Sequence, residues 1–188
     1  MIAGVAVVIV GLIAIDHLGL LGATGNDWVQ FDKQTFPVAR VISGDEIVIN
    51  REGQDVPVRL MGIDAPDPGL HGDAAALAYT QARTAGKAVT LRLESTQTRD
   101  EKRNVLAYVY LQDNDNLNLD TIRDGKAYAD RRIKHTLASS FETAETEARK
   151  KSRGLWDGLR NEDMPAWRQQ WLKDFFAARR ATTRPAKP

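Results

Sequence analysis

The chain has 188 residues, 43% of them apolar and 27% charged, with a net charge of +1. That size and composition suit one folded domain with appendages and exclude bulk disorder. The near-zero net charge requires any basic patch to be local, and the absence of cysteine excludes disulfide scaffolds, thiol chemistry and Cys-ligated zinc.

Met1 to Ile15 carries no charged side chain; Asp16 and His17 interrupt the apolar run, and Leu18 to Ala23 resumes it. The unbroken part is shorter than the about 20 residues of a bilayer-spanning helix, and no basic stretch precedes it. Residues 1–23 are read as an export signal or a membrane anchor. The reason is isolation: residues 24–35 look like a polar linker that detaches the run from any core. The folded part is then expected to face outside the cytoplasm.

From Phe36 the pattern changes to short strands. Pro37 to Ile42 and Glu46 to Asn50 flank a Gly-Asp turn, a hairpin signal. Val56 to Ile63 reads as the third strand. Asp73 to Ala85 is rich in Ala and reads as a helix ending at Gly86. Ala88 to Glu94 alternates as a half-buried strand does, and Val105 to Leu111 is a further strand. Leu119 to Arg123 forms a short helix closed by Gly125, and Ser139 to Lys151 a longer one. Five strands with these helices predict a β-barrel with helices (α+β), a small five-stranded barrel of the oligonucleotide/oligosaccharide-binding type, over residues 36–158. Residues 159–181 form a C-terminal amphipathic helical extension in which Trp167, Trp171 and Phe175 recur at helical spacing. Its aromatic stripe packs on the barrel or on the Ser139 to Lys151 helix, a membrane surface being the alternative. Residues 182–188 read as a disordered tail.

The chemistry-bearing residues gather in two segments, Ser43-Gly44-Asp45 and Val58-Arg59-Leu60 through Asp64-Ala65-Pro66-Asp67. Carboxylates from two segments with one arginine can hold a hard cation against a phosphate. Taken singly, each residue has a plainer reading. Asp45 suits its turn, Arg59 suits a strand surface, and Asp67 before Pro68 suits a turn. His71 and His135 have no metal-ligand spacing.

Together with Ile42-Ser43-Gly44-Asp45, Ile63-Asp64-Ala65-Pro66-Asp67, Leu106-Ala107-Tyr108-Val109-Tyr110, Asn118, Ile122 to Ala127 and Arg153-Gly154-Leu155-Trp156, the order and spacing resemble the staphylococcal nuclease (thermonuclease-like) family. The resemblance runs from about Phe36 to Gly158. It implies Ca²⁺-dependent hydrolysis of phosphodiester bonds in DNA or RNA. The protein is expected to be a monomer, attached to a membrane where residues 1–23 serve as an anchor rather than an export signal. By motif position the resemblance implies Asp45 and Asp64 as Ca²⁺ ligands, Arg59 as a phosphate clamp, and Asp67 as the acid that orients or deprotonates the attacking water.

The chain departs from the family pattern at several of these positions. Asp67 stands where the family has glutamate and is one methylene shorter. The family's second arginine position is Asn104, with Arg103 one residue before it. In an extended segment a slip of one residue turns a side chain to the opposite face; in a turn Arg103 can still reach the site. The positions of two nucleotide-flanking tyrosines hold Lys102 and Arg131. These departures imply a nuclease of reduced activity, or alternatively a noncatalytic barrel that binds nucleic acid or a protein partner.

Overall fold

The apolar–polar alternation closes into a barrel. Strands β1 (Thr35–Ser43), β2 (Glu46–Arg51) and β3 (Gln54–Leu60) form an antiparallel meander. β5 (Ala88–Leu93) and β6 (Val105–Tyr110) complete it in the order β1-β2-β3-β6-β5, with β3 and β6 parallel and β5 returning to β1. A computed structural model describes residues 25–183. The apolar segment expected at 1–23 lies outside the described residues, as do residues 184–188 of the expected tail. Among the described residues no helix is long and apolar enough to cross a membrane.

The barrel interior is filled by Ile47, Ile49, Val58, Leu60, Leu91 and Val109, all essentially inaccessible to water. Burying each such side chain contributes about 1.5–3 kcal/mol. Asn118 is the buried polar exception. Its amide oxygen accepts from the Val109 N–H at 2.9 Å, and its Nδ2 donates to Met61 O at 2.9 Å and Ala107 O at 3.2 Å. These bonds satisfy backbone groups where the parallel strands part, which a buried ladder end requires.

The single strand expected over Val56 to Ile63 is divided. Gly62 adopts φ 74°, a conformation that a side chain resists, and the chain turns off the barrel there. A Cβ at Gly62 would also lie 2.5 Å from the His135 ring. Past this turn Ile63–Asp64 forms β4, which pairs with β7 (Tyr128–Ala129), Asp64 opposite Tyr128.

Residues 24–35 are not a detached linker. Gly25–Phe31 forms helix α1, and Asp27 and Phe31, four residues apart on one face, dock it on the barrel. Phe31 is buried against Phe36, with ring centroids 6.0 Å apart. Arg99 grips the Asp27 carboxylate with Nε at 2.9 Å and Nη2 at 2.6 Å, and Thr98 donates to it at 2.8 Å. Burial raises the Asp27 pKa, but the hydrogen bonds from Arg99 and Thr98 outweigh it and leave the group below its ordinary value. The polar composition concealed this docking because the buried polar group is paired.

Helices α2 (Asp73–Thr84), α3 (Leu117–Arg123) and α4 (Ala138–Lys150) pack around the barrel. On α4 the buried positions are Phe141, Glu145 and Ala148, a core-facing stripe with a carboxylate in its middle. Helix α5 (Ala166–Thr183) supplies that carboxylate's partner, Arg168, at 2.8 Å. Residues 182 and 183, expected in the tail, belong to α5.

Candidate active site

Asp45 is placed by the β1–β2 turn. A Cβ on Gly44 would meet Ala76 Cβ at 2.6 Å and Ala65 Cβ at 2.8 Å, so glycine lets α2 press on the turn. Thr80 Oγ1 donates to Gly44 O at 2.7 Å and locks that contact. Asp45 is left 3% exposed. Its Oδ2 accepts from the Ala65 N–H at 2.7 Å and its Oδ1 from Ser43 Oγ at 2.7 Å. Burial pushes its pKa up, and the nearby Arg59 opposes that without cancelling it.

Arg59 stands on β3 opposite Glu46 and beside Leu106. Its Nη2 lies 2.7 Å from Asp45 Oδ2 and 2.8 Å from Asp64 Oδ1. Two carboxylates from separate segments thus converge on one nitrogen, so a single cation can touch both. Hard oxygen donors around one point are the donor set that Ca²⁺ uses, with water and phosphate filling the remaining positions. Among the described residues no cluster of three or more His, Cys, Asp or Glu offers a richer metal cage.

Asp64 sits at the rim of a cavity of about 430 Å³ shared with Arg59, Lys102, Asp130 and Arg132. Asp64 Oδ1 also accepts from Arg132 Nη2 at 2.9 Å, and its Oδ2 from Trp167 Nε1 at 2.8 Å. Arg132 is forked onto Asp130, Nε to Oδ1 at 2.9 Å and Nη2 to Oδ2 at 2.8 Å. The Asp130 hydrogen bond is the main reason its pKa is raised above the ordinary arginine value.

Of the residues expected in the site, Asp45, Arg59 and Asp64 come together. Asp67 is exposed on the turn after Pro66 and is not among the cavity residues. Arg103 does not line the cavity either. It occupies a turn at φ 69°, and its charge acts on Asp27 near α1. Asn104 is buried and serves that turn, donating from its backbone N–H to Asp100 Oδ1 at 2.8 Å and from Nδ2 to Asp100 Oδ2 at 3.0 Å. Arg131 is committed to α4, pairing with Glu145 at 2.9 Å and lying over the Trp171 ring at 4.3 Å. Lys102 does line the cavity.

Arg132, Asp130 and Trp167 escaped the sequence reading. Only the adjacent Arg131-Arg132 pair after Asp130 hints at a concentrated charge. Nothing in the spacing ties Trp167 to Asp64.

Residues 57–158 match the family model described as staphylococcal nuclease homologue. The chain belongs to the staphylococcal nuclease family. A thermonuclease of Staphylococcus intermedius is 32% identical over 133 residues, 66% of this chain and 77% of that protein. A thermonuclease of Staphylococcus hyicus is 27% identical over 134 residues, with the same 66% and 77% shares. A protein of Escherichia coli described as an uncharacterised endonuclease is 29% identical over 130 residues, 69% of this chain and 80% of its own. The family match covers β4, β5, β6 and β7 with the helices between them, together with Arg59, Asp64 and Arg132, whereas Trp167 lies beyond it.

Proposed function

We propose that this protein is a Ca²⁺-dependent nuclease that hydrolyses phosphodiester bonds in DNA or RNA. The observation that carries the reading is the convergence of Asp45, Asp64 and Arg59 on one point at the rim of an open cavity. The nuclease relatives from Staphylococcus and Escherichia coli support it. Asp45 and Asp64 would hold the cation, which when bound supplies positive charge against the phosphate.

The chain's own groups account for the rest. Arg59 is the preorganised donor aimed at charge that develops on the phosphoryl oxygens. It is held by both carboxylates, which on turning to a bound cation would free the guanidinium for the phosphate. A water oxygen forms the new bond to phosphorus while the ester P–O bond breaks. Asp67 is assigned to that water and takes its proton, and the leaving alkoxide is protonated from solvent. Asp67 is short and exposed, and misplacement of about 1 Å can cost about 10²-fold in rate. A slow enzyme is therefore part of the proposal. The apolar segment 1–23 is proposed to export or tether the protein, placing the enzyme outside the cytoplasm.

The test is digestion of single-stranded DNA by the purified protein with Ca²⁺, then with excess chelator. Cleavage that the chelator stops supports the reading. Intact DNA under both conditions, with the protein folded and binding DNA irrespective of Ca²⁺, would establish a noncatalytic binding barrel instead.

A further inference from the structure

We infer that Arg132 is a second phosphate-binding guanidinium of this centre and that Trp167, on the helix beyond the family-matched region, positions it. The inference rests on the nuclease reading above for its catalytic part, and on geometry alone for its phosphate-contact part. Arg132 and Arg59 meet the same oxygen, Asp64 Oδ1, at 2.9 and 2.8 Å. Both line the same cavity. A phosphodiester gains negative charge as the pentacoordinate state forms, and a second guanidinium donating through Nη1 adds to what Arg59 supplies.

Arg132 is built to be held and yet reachable. Its Nε and Nη2 are fixed on Asp130, which is 6% exposed, and the Arg132 backbone N–H donates to Asp130 Oδ1 at 2.9 Å. The guanidinium carbon lies 4.8 Å from the centre of the Trp167 ring. Stacking over an indole face suits arginine and orients its plane. Nη1 makes no hydrogen bond among the described residues, and the side chain keeps 48% of its accessible surface.

Trp167 touches both partners at once. Its face carries Arg132, and its Nε1 donates to Asp64 Oδ2 at 2.8 Å. The neighbouring Arg168 is fully buried on Glu145 of α4, so Trp167 is anchored by the core rather than by solvent-exposed contacts. Asn104 is tied to Asp100, and Arg103 is not among the cavity residues. Trp167 is therefore a positioning residue, and Arg132 a group that contacts substrate.

The experiment uses the full chain and four variants, Arg132→Ala, Arg132→Lys, Trp167→Phe and Arg59→Ala, each checked for folding by circular dichroism and thermal melting. Two readouts are taken: cleavage of a single-stranded DNA oligonucleotide in Ca²⁺, and anisotropy of a labelled phosphorothioate oligonucleotide over a salt series. Arg132→Ala is expected to lower kcat by about 10²–10³. It should also flatten the slope of log affinity against log salt by about 0.7, one single-strand phosphate contact. Arg132→Lys should restore the slope but not kcat, since an ammonium cannot grip Asp130 with a fork and present a further donor to phosphate at once. Trp167→Phe keeps a ring under Arg132 but loses the N–H to Asp64. It is expected to keep the salt slope while lowering kcat about tenfold, the effect of one hydrogen bond worth about 1.4 kcal/mol. An unchanged salt slope in folded Arg132→Ala overturns the inference, as does faster cleavage, which would make Arg132 a lock on Asp64. If Arg59→Ala slows cleavage while Arg132→Ala leaves it at the wild-type rate, the nuclease reading stands and this inference falls. If the wild type never cleaves but Arg132→Ala still flattens the slope, the nuclease reading falls and the phosphate contact stands.

Discussion

The buried pair Glu145–Arg168 fixes α5 to the domain, and removing either partner should be costly in unequal amounts. Both side chains are 1% exposed. Breaking a buried ion pair by removing one partner costs about 3–5 kcal/mol. Arg168→Met leaves Glu145 with the Ala129 N–H and Arg131, each at 2.9 Å, so the loss should sit near the low end, about 3 kcal/mol. Glu145→Leu leaves Arg168 facing Tyr128 and Trp156 rings at 4.9 and 5.0 Å. No other ion-pair partner stands near it among the described residues, and its Nε already lacks a hydrogen bond. That loss should approach about 5 kcal/mol. The double variant removes both charges and should cost less than the sum of the singles by several kcal/mol. Urea unfolding followed by circular dichroism measures all three, and a loss of about 3 kcal/mol should lower Tm by about 6–12 °C. Singles costing under about 1 kcal/mol, or a double that is additive within about 0.5 kcal/mol, would refute the coupling and make α5 an appendage.

Burial favours the protonated form of Glu94, but hydrogen bonds from Thr136, Tyr108 and Ser95 hold its pKa at about 2 against 4.5. A depressed carboxylate contributes stability that is present above pH 4.5 and lost as pH falls toward 2, here about 3 kcal/mol in all. Glu94→Gln should remove much of that acid dependence in pH-resolved melting, and an unchanged acid profile would contradict it. The raised pKa of Asp45 has the opposite sign: between its ordinary and its folded value, stability falls as pH rises. At neutral pH, Asp45→Asn should therefore melt no lower than wild type without Ca²⁺, and should lose cleavage in the presence of Ca²⁺; a clear drop in Tm would show that the carboxylate is structural. Arg59→Ala and Arg59→Lys should each slow hydrolysis by about 10²–10³ in an oligonucleotide cleavage assay, and near-normal turnover in either would reduce Arg59 to an ion-pair residue.

The barrel was legible because period-two alternation is a short-range rule. Asp45, Arg59 and Asp64 were candidates only by motif position in the family resemblance, since each taken singly has a plainer reading. What was hidden depends on packing between distant segments. Arg132 and Trp167 meet Asp64 across 68 and 103 residues, separations for which no spacing rule exists. Helix α1 was hidden because its docking residue Asp27 is a carboxylate, whose burial only becomes intelligible once Arg99 is seen beside it. Glu145 and Arg168 were obscured in the same way: each looks like a surface residue until the other is in place. Arg103 shows the limit of motif arithmetic. It stands in a turn with positive φ, where strand alternation no longer says which way a side chain points.

The central claim is that Asp45 and Asp64 hold one cation beside Arg59. Calorimetric titration of Ca²⁺ into the wild type and into Asp64→Ala, each with a phosphorothioate dinucleotide present, tests it most directly. Two carboxylates leave most of the about six to eight Ca²⁺ ligands to water and phosphate, so uptake should be weak alone and strengthened by the nucleotide. Asp64→Ala should abolish that uptake. Equal Ca²⁺ binding in the two proteins would contradict the account.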